Sequence, residues 1–258
     1  MRLDIVMPAH NEQARIDRTL RAYRAACPQV GVRFLVALDQ CTDATPEIVA
    51  RHARDDARVR AFSYPKLGKG GVIAATFARS DAELVGFVDA DGATPPRELL
   101  RLAGAAGAMG GAIASRRHPA ALLPARRPFA RELTSAGFAS SVRMLMRLPY
   151  RDTQCGAKVL RRDVADDVLP HLAARDLLFD VDLLAAARER GWRVVEIPTV
   201  WIDQEGSRVS ALADSRRMGA SLLRLWARRR LRTPRRPGWR SVPPTAARRT
   251  REVHDGRA

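Results

Sequence analysis

Short apolar runs alternate with amphipathic segments along the first 90 residues of the chain. Nearly continuous apolar runs predict buried β-strands at residues 3–7, 33–38, 59–63 and 84–88. Between them, apolar residues recur at helical spacing, as do Ile16, Leu20 and Tyr23, and predict helices. Repeated strand-helix units with apolar strands are typical of a mainly parallel sheet that helices cover on both faces. The pattern therefore predicts an α/β, Rossmann-like fold.

The pattern after Asp91 is less regular. It predicts helices at 95–106, 129–148 and 179–190, strands at 112–114 and 194–202, and a loop centred on Cys155. A chain of 258 residues is too short for two full domains of ordinary size. We therefore assign residues 1–206 to one catalytic domain.

The C-terminal part of the chain is strongly basic. Residues 206–258 contain 15 arginines and three acidic residues, a net charge of +12. An apolar stripe among these arginines predicts a basic amphipathic helix at 207–232, and the Arg- and Pro-rich remainder, 233–258, is predicted to be disordered. The stripe consists of Met218, Leu222, Leu225 and Trp226. It suits the interface of an anionic membrane; the alternative is that it packs back on the domain.

The composition bears on location and protein class. No run approaches the roughly 18 apolar residues of a spanning helix, and the N-terminus lacks the pattern of a signal peptide, which predicts a cytoplasmic protein. Three distant cysteines suggest neither disulfides nor a zinc site. The net charge of +17 raises nucleic-acid binding as an alternative. Against it, aromatic residues make up only 5% of the chain and no nucleic-acid motif is present.

The strongest candidates for chemistry are Asp89 and Asp91, which directly follow an apolar strand. Ligands of open α/β sheets bind at the carboxyl ends of strands. Two carboxylates repel one another there, and a bound Mg²⁺ or Mn²⁺ shared with a diphosphate would neutralise their negative charge. Asp39 also follows a strand and suits either a nucleotide contact or an Asx turn. Lys69 precedes a helix whose N-terminus favours anionic oxygen.

Sequence motifs between Met7 and Arg208 occur in the order in which the inverting family 2 glycosyltransferases carry them. Residues 7–12 resemble P-A-x-N-E, 38–43 resemble D-D-G-S-T-D, 69–71 resemble G-K-G-G and 89–95 resemble the D-x-D metal motif. Residues 152–158 are similar to D-T-Q-C-G-F-K and 179–184 to F-D-V-E-L-L. The departures are Leu38, Gln40, Cys41 and Ala157. Within the family, the chain resembles the dolichyl- and polyprenyl-phosphate glucosyltransferases in particular.

The resemblance implies a GT-A-like fold and a role for each matching residue. Asp89 and Asp91 would hold a divalent metal, Mg²⁺ or Mn²⁺, together with the donor diphosphate. Asp152 would lie beside the sugar and the acceptor, which makes Asp152 and Asp91 the catalytic candidates. The residues expected to bind the nucleotide sugar are Pro8, Ala9, Glu12, Asp39, Lys69 and Asp89. The candidates for donor or acceptor phosphate are Arg116, Arg131 and Lys158, with Arg126 or Arg127 as substitutes.

The predicted reaction is transfer of glucose from UDP-glucose to a polyprenyl phosphate, at the inner face of the membrane, with inversion. A lipid phosphate is already anionic near pH 7, because its second ionisation falls near pH 6. It therefore attacks without a strong general base. An alternative acceptor is a soluble or protein hydroxyl, which would require Asp152 as its base. Nucleic acid is not an expected partner.

Overall fold

Seven strands and eight helices make up the described part of the chain. The computed structural model describes residues 1–28, 31–124, 129–204 and 211–231, with backbone alone at 129–131, 133 and 211–217. The strands are β1 (Leu3–Ala9), β2 (Val32–Asp39), β3 (Val59–Tyr64), β4 (Leu84–Val88), β5 (Gly111–Ser115), β6 (Ala157–Arg161) and β7 (Val194–Pro198). The helices are α1 (Ile16–Ala26), α2 (Thr45–Asp55), α3 (Gly68–Phe77), α4 (Pro96–Met109), α5 (Phe129–Met146), α6 (Arg162–Val168), α7 (Phe179–Glu189) and α8 (Ala211–Arg230), with a 3-10 turn at Leu169–His171.

The strands form one mixed sheet in the order β3-β2-β1-β4-β6-β5-β7. Strands β3, β2, β1 and β4 are parallel, as are β5 and β7, whereas β6 is antiparallel to both β4 and β5. Because β2, β1 and β4 are parallel neighbours, their carboxyl ends at Asp39, Ala9 and Val88 lie along one edge of the sheet. This arrangement confirms the predicted mainly parallel sheet and brings the candidate motifs together.

Each face of the sheet has its own apolar core, because successive side chains of a strand point to opposite faces. Ile5 and Met7 of β1 pack in a core with side chains of α1, α2 and α4. Val6 belongs to a second core with side chains of α3, α7 and α8. The sheet is thus sandwiched between two helical layers.

Strand β6 and helix α6 occupy a region that the sequence pattern predicts as loop. Lys158 and Arg161 interrupt the apolar run of β6 and hide its strand character, although residues 157–160 are all buried. At the other end of the sheet, β7 ends at Pro198 and not at the predicted residue 202. A proline has no N–H to continue a strand ladder. Beyond it, Val200 forms a single bridge with Leu122.

Helix α8 is the predicted basic amphipathic helix, and two residues of its apolar stripe face the protein. Leu222 and Leu225 are 2% and 4% exposed and lie in the same core as α3 and α7. Met218 and Trp226 of the same stripe are half-buried. Contact of this helix with an anionic membrane surface, and the division of the chain at residue 206, stay predictions. The predicted tail, 233–258, lies outside the described residues. No helix within the described residues is both long and apolar enough to cross a bilayer.

Candidate active site

The carboxyl end of β4 carries the two aspartates of the predicted metal site. The backbone N–H of Asp89 donates to the carbonyl oxygen of Gly156 (3.1 Å), and Oδ1 of Asp89 lies 2.6 Å from Nζ of Lys69. Oδ1 of Asp91 accepts the N–H of Ala93 at 2.9 Å, which fixes the turn after the strand. Three residues singled out from the sequence, Lys69, Asp89 and Asp91, therefore meet at this point.

The electrostatics of this cluster favour an additional positive charge. Burial, and then the charge of Asp89, raises the pKa of the Asp91 carboxyl above its ordinary value. Burial lowers the pKa of Lys69, but the charges of Asp89 and Asp180 outweigh burial, so the net direction is upward. A carboxyl with a raised pKa beside a second carboxylate would be stabilised in its ionised form by a bound cation.

The residues present fit a divalent cation that completes its shell with substrate. Asp89 and Asp91 supply carboxylate oxygens, the ligands that Mg²⁺ and Mn²⁺ prefer. Among the described residues, no cluster of three or more His, Cys, Asp or Glu side chains could hold a metal by itself. Mg²⁺ is commonly held by one or two carboxylates together with substrate phosphates and water. The pair therefore suits a cation that arrives with a diphosphate.

The backbone just before β6 passes so close to Asp89 that a side chain at residue 156 would displace the Asp89 carboxylate. Antiparallel pairing of β6 with β4 sets Val88 opposite Ala157. A Cβ built on Gly156 would lie 1.9 Å from Oδ2 of Asp89, far inside van der Waals contact. The motif at 152–158 thus helps to position a carboxylate of the predicted metal site. Gly156 was not singled out from the sequence, and its place in that motif was the only signal.

Asp152 forms a second, separate centre with Arg116, which follows β5. Nε and Nη2 of Arg116 donate to the two carboxylate oxygens of Asp152 at 2.7 and 2.9 Å, and the backbone N–H of Arg116 adds a third bond at 3.0 Å. The backbone N–H of Asp152 donates to Oε1 of Glu196 (2.8 Å), and the Arg116 guanidinium lies 4.9 Å from the Trp201 ring centroid. The two predicted residues therefore form one fixed pair.

This pairing determines the protonation state of Asp152. Burial alone would raise the pKa of its carboxyl, but the charge and hydrogen bonds of Arg116 outweigh burial and lower the pKa to about 2. Asp152 is consequently an anion at neutral pH whose oxygens are bound to a cation. A carboxylate of this kind is a weak proton acceptor, because a general base works best with a pKa near the operating pH.

Lys158 is buried and has an internal ion-pair partner. Its side chain is 1% exposed, and Nζ donates to the Cys155 carbonyl at 2.7 Å and to Oδ1 of Asp180 at 2.5 Å. Nζ also lies 5.4 Å from the ring centroid of Phe87. The geometry therefore makes Lys158 an internal partner of Asp180, and its expected contact with a donor or acceptor phosphate finds no support here.

Asp39 links the end of β2 to the loop that leads to Lys69. Its two carboxylate oxygens accept the backbone N–H groups of Leu67 (2.7 Å) and Gly68 (3.1 Å). Its carbonyl oxygen lies 2.7 Å from Nδ1 of His10, so the ends of β1 and β2 are tied together. Asp39 thus organises the loop before α3 while remaining next to the end of β1, where Pro8 and Ala9 lie.

Glu12 belongs to the same edge of the sheet but already has a partner. Its carboxylate pairs with Arg15 at 2.6 Å, and its backbone N–H donates to Oγ1 of Thr45 at 2.8 Å. Arg15 was not singled out from the sequence, yet its charge acts on Asp91. The i,i+3 spacing of Glu12 and Arg15 was the available signal. Arg131 is described by its backbone alone, and residues 126 and 127 lie outside the described residues.

The fold and this carboxylate site agree with one family of enzymes. Residues 4–169 match the family described as Glycosyl transferase family 2. Because the match covers more than half of the chain, the chain belongs to glycosyl transferase family 2. The family predicted from the motifs is confirmed.

Individual relatives are similar along most of the chain. Glycosyltransferase AglD of Haloferax volcanii is 31% identical over 231 residues, which cover 87% of this chain and 37% of AglD. The chain thus spans little more than a third of that relative. The human dolichyl-phosphate beta-glucosyltransferase is 30% identical over 238 residues, which cover 86% of this chain and 74% of the human protein.

A solved structure supports the fold. Glucosyl-3-phosphoglycerate synthase from Mycobacterium tuberculosis, in complex with Mn²⁺, uridine diphosphate and glucosyl-3-phosphoglycerate, superposes with a TM-score of 0.63 at 17% identity. The superposition covers 88% of this chain and 80% of the other. The GT-A-like architecture expected from the motifs is thereby confirmed.

Proposed function

We propose that this chain transfers glucose from UDP-glucose to a polyprenyl phosphate, with inversion at the sugar and with a divalent cation bound at Asp89 and Asp91. The acceptor class rests on one observation: Arg116 holds both carboxylate oxygens of Asp152. The site therefore favours an acceptor that brings its own anionic oxygen. The human relative is named for transfer to dolichyl phosphate, which is such an acceptor.

The donor half of the site is the edge formed by β2, β1 and β4. Pro8, Ala9 and Glu12 border the space for the nucleoside, and Asp39 fixes the loop that carries Lys69 toward the diphosphate. A bound Mg²⁺ or Mn²⁺ would act as a Lewis acid on the leaving diphosphate. The related fold of glucosyl-3-phosphoglycerate synthase was crystallised with Mn²⁺ and uridine diphosphate, which supports this choice of ligands.

The acceptor half contains the pair of Arg116 and Asp152, with Arg131 as a further candidate for the acceptor phosphate. A phosphate monoester carries between one and two negative charges at pH 7, so its oxygen attacks the anomeric carbon without losing a proton to the protein. Asp152 then orients Arg116 and the sugar. A single displacement of this kind inverts the anomeric configuration and gives a β-linked product.

The test is product identification with the purified full chain. UDP-glucose, UDP-galactose and GDP-mannose are each offered with a polyprenyl phosphate, with Mg²⁺, Mn²⁺ or EDTA, and the lipid product is identified by mass and by the anomeric proton coupling. We expect a β-glucosyl lipid phosphate from UDP-glucose that EDTA abolishes. Transfer to soluble hydroxyl acceptors alone, or undiminished transfer in EDTA, would contradict the proposal.

A further inference from the structure

A cavity of about 380 Å³ lies between the start of α3, the segment 173–178 and helix α8. Its apolar part is formed by leucines 67, 178 and 225. Its polar part contains Arg175 from the segment and Arg224 and Arg228 from α8. The cavity is lined by residues other than the carboxylates of the donor site, and it combines an apolar floor with a basic rim.

The basic rim carries uncompensated charge. Within the part of the chain that the structure describes, Arg175, Arg224 and Arg228 form no ion pair, although Arg224 donates to Oγ of Ser221 at 3.1 Å. The acidic residue at the cavity is Asp176, whose Oδ1 accepts the N–H of Leu178 at 2.9 Å. Three guanidinium groups against one carboxylate leave a net positive site. Guanidinium groups of this kind recognise phosphate through paired N–H donors.

The walls of the cavity are held by buried contacts. Asp182, 0% exposed, accepts the backbone N–H groups of Ala173 (2.6 Å) and Ala174 (2.8 Å). Nε of Arg229 donates to Oδ1 of the same carboxylate at 2.7 Å, which locks α8 to the segment 173–178. The carbonyl of Arg175 accepts the N–H of Gly71 at 3.2 Å, so the third wall is fixed as well. The walls of the cavity are therefore preformed, and binding needs ordering mainly of the exposed arginine side chains at its rim.

From this geometry we infer that the cavity binds the phosphate headgroup of a membrane lipid. The phosphate lies among Arg175, Arg224 and Arg228, and the first carbons of the lipid cover the leucine floor. Helix α8 thus meets a membrane through its arginines, while Leu222 and Leu225 stay in the core. The cavity adjoins the proposed donor half at Leu67 and Gly68 but contains none of its carboxylates, and the inference does not depend on which sugar or acceptor the enzyme uses.

The test compares two double variants of the full chain that lose the same charge. Arg224→Gln with Arg228→Gln alters the cavity, whereas Arg51→Gln with Arg60→Gln alters exposed arginines on α2 and β3. Monomeric dihexanoyl phosphatidic acid and inorganic phosphate are titrated separately by calorimetry. We expect the cavity double variant to bind the lipid about 30-fold more weakly, from two arginine contacts, and the control to stay within about twofold of the parent chain.

Four outcomes would overturn the inference: no lipid binding by the parent chain, equal losses in the two double variants, equal affinity for inorganic phosphate and lipid, or displacement of the lipid by UDP. Saturation with UDP separates this cavity from the donor site. Undiminished lipid binding to the UDP complex is expected, and displacement by UDP would assign the lipid to the donor site instead. If the α8 double variant fails to fold, Arg175→Gln provides the same test from outside that helix, with an expected loss of about fivefold.

Discussion

Two lysine-carboxylate pairs flank the ring of Phe87, and they differ mainly in access to solvent. Lys69 and Asp89 are 2.6 Å apart with side chains 24% and 28% exposed, whereas Lys158 and Asp180 are 2.5 Å apart and 1% and 5% exposed. The two ammonium groups lie 5.9 and 5.4 Å from the ring centroid. The chemistry of the pairs is the same, so access alone separates their roles.

The partly exposed pair of Lys69 and Asp89, here the open pair, can exchange partners. The buried pair of Lys158 and Asp180, the closed pair, cannot. Under the proposed function, Lys69 would turn to a phosphate oxygen of the donor and Asp89 would hold the cation, so that each charge would stay compensated. Lys158 has no such exchange, because Asp180 and the Cys155 carbonyl surround its ammonium group. We therefore expect the open pair to control turnover and the closed pair to control stability.

The largest expected effect is a difference in stability between the alanine variants of the two lysines. Lys158→Ala leaves Asp180 buried without a partner and should lower the free energy of unfolding by about 3–5 kcal/mol. Lys69→Ala should cost about 1 kcal/mol or less, since its pair is partly solvated, but should reduce turnover. Denaturant unfolding and turnover measured on both variants check this. The double variant Lys158→Met with Asp180→Leu is the control and should recover most of the lost stability; comparable destabilisation by the two alanine variants would remove the distinction.

Substitution of Asp91 tests the proposed metal site next to the pair of Lys69 and Asp89 and leaves both lysines unchanged. Asp91→Asn removes one carboxylate from the metal site and should lower turnover by about 10² to 10³-fold, since charge on the leaving group is less stabilised. The melting temperature without metal should stay the same or rise, because the raised pKa of Asp91 means that its ionised form is disfavoured in the folded protein. Turnover near that of the parent chain, in a folded protein, would disprove the metal assignment.

Gly156→Ala tests whether the position of Asp89 matters apart from its charge. The new Cβ would collide with Oδ2 of Asp89, and a displacement of about 1 Å in a reacting group can cost about 100-fold in rate. Gly137→Ala on α5, where a Cβ meets no atom within 4 Å, is the matched control and should raise helix stability by about 0.5–1 kcal/mol. Equal turnover in the two variants would show that Asp89 tolerates movement.

The pair of Arg116 and Asp152 extends the comparison to acid pH. The pKa of the Asp152 carboxyl is lowered from 3.8 to about 2. The stability that its ionised form contributes is therefore present above pH 4 and is lost as the pH falls toward 2. The difference in unfolding free energy between the parent chain and Asp152→Asn should be constant above about pH 5 and shrink by roughly 2–3 kcal/mol below it. The turnover rate at saturating substrate should not change with pH above pH 5 because of ionisation of Asp152. A turnover rate that rises with pH in the parent chain but not in Asp152→Asn would identify Asp152 as a general base.

The meeting of the strand ends that form the proposed donor half could be predicted from the sequence because its information is local. The apolar runs of β1, β2 and β4 each end at a motif, and parallel neighbours necessarily bring those ends to one edge. The strand β6 could not be predicted, because Lys158 is compensated by Asp180, 22 residues further along the chain. Local polarity therefore suggested a surface loop where the fold has a buried strand.

The packing of helix α8 could not be predicted from the sequence for a different reason. Its periodicity was visible in the sequence, but a stripe of apolar residues fits a protein core and a membrane interface equally well. The deciding partners are Leu222 and Leu225 against the second core, and Arg229 against Asp182, which is 47 residues away. No local pattern contains such a long-range contact.

The distance between Asp182 and Arg229 also sets an order for synthesis. At about 5–20 residues per second, the 47 residues between them take roughly 2–9 s to be made. Until Arg229 emerges, docking of α7 would bury the Asp182 carboxylate without its cation, so we expect α7 and the segment 173–178 to settle last. The nascent chain therefore stays incomplete next to Gly68 and Gly71, and the start of α3 gains its contact with Arg175 only when α8 has left the ribosome.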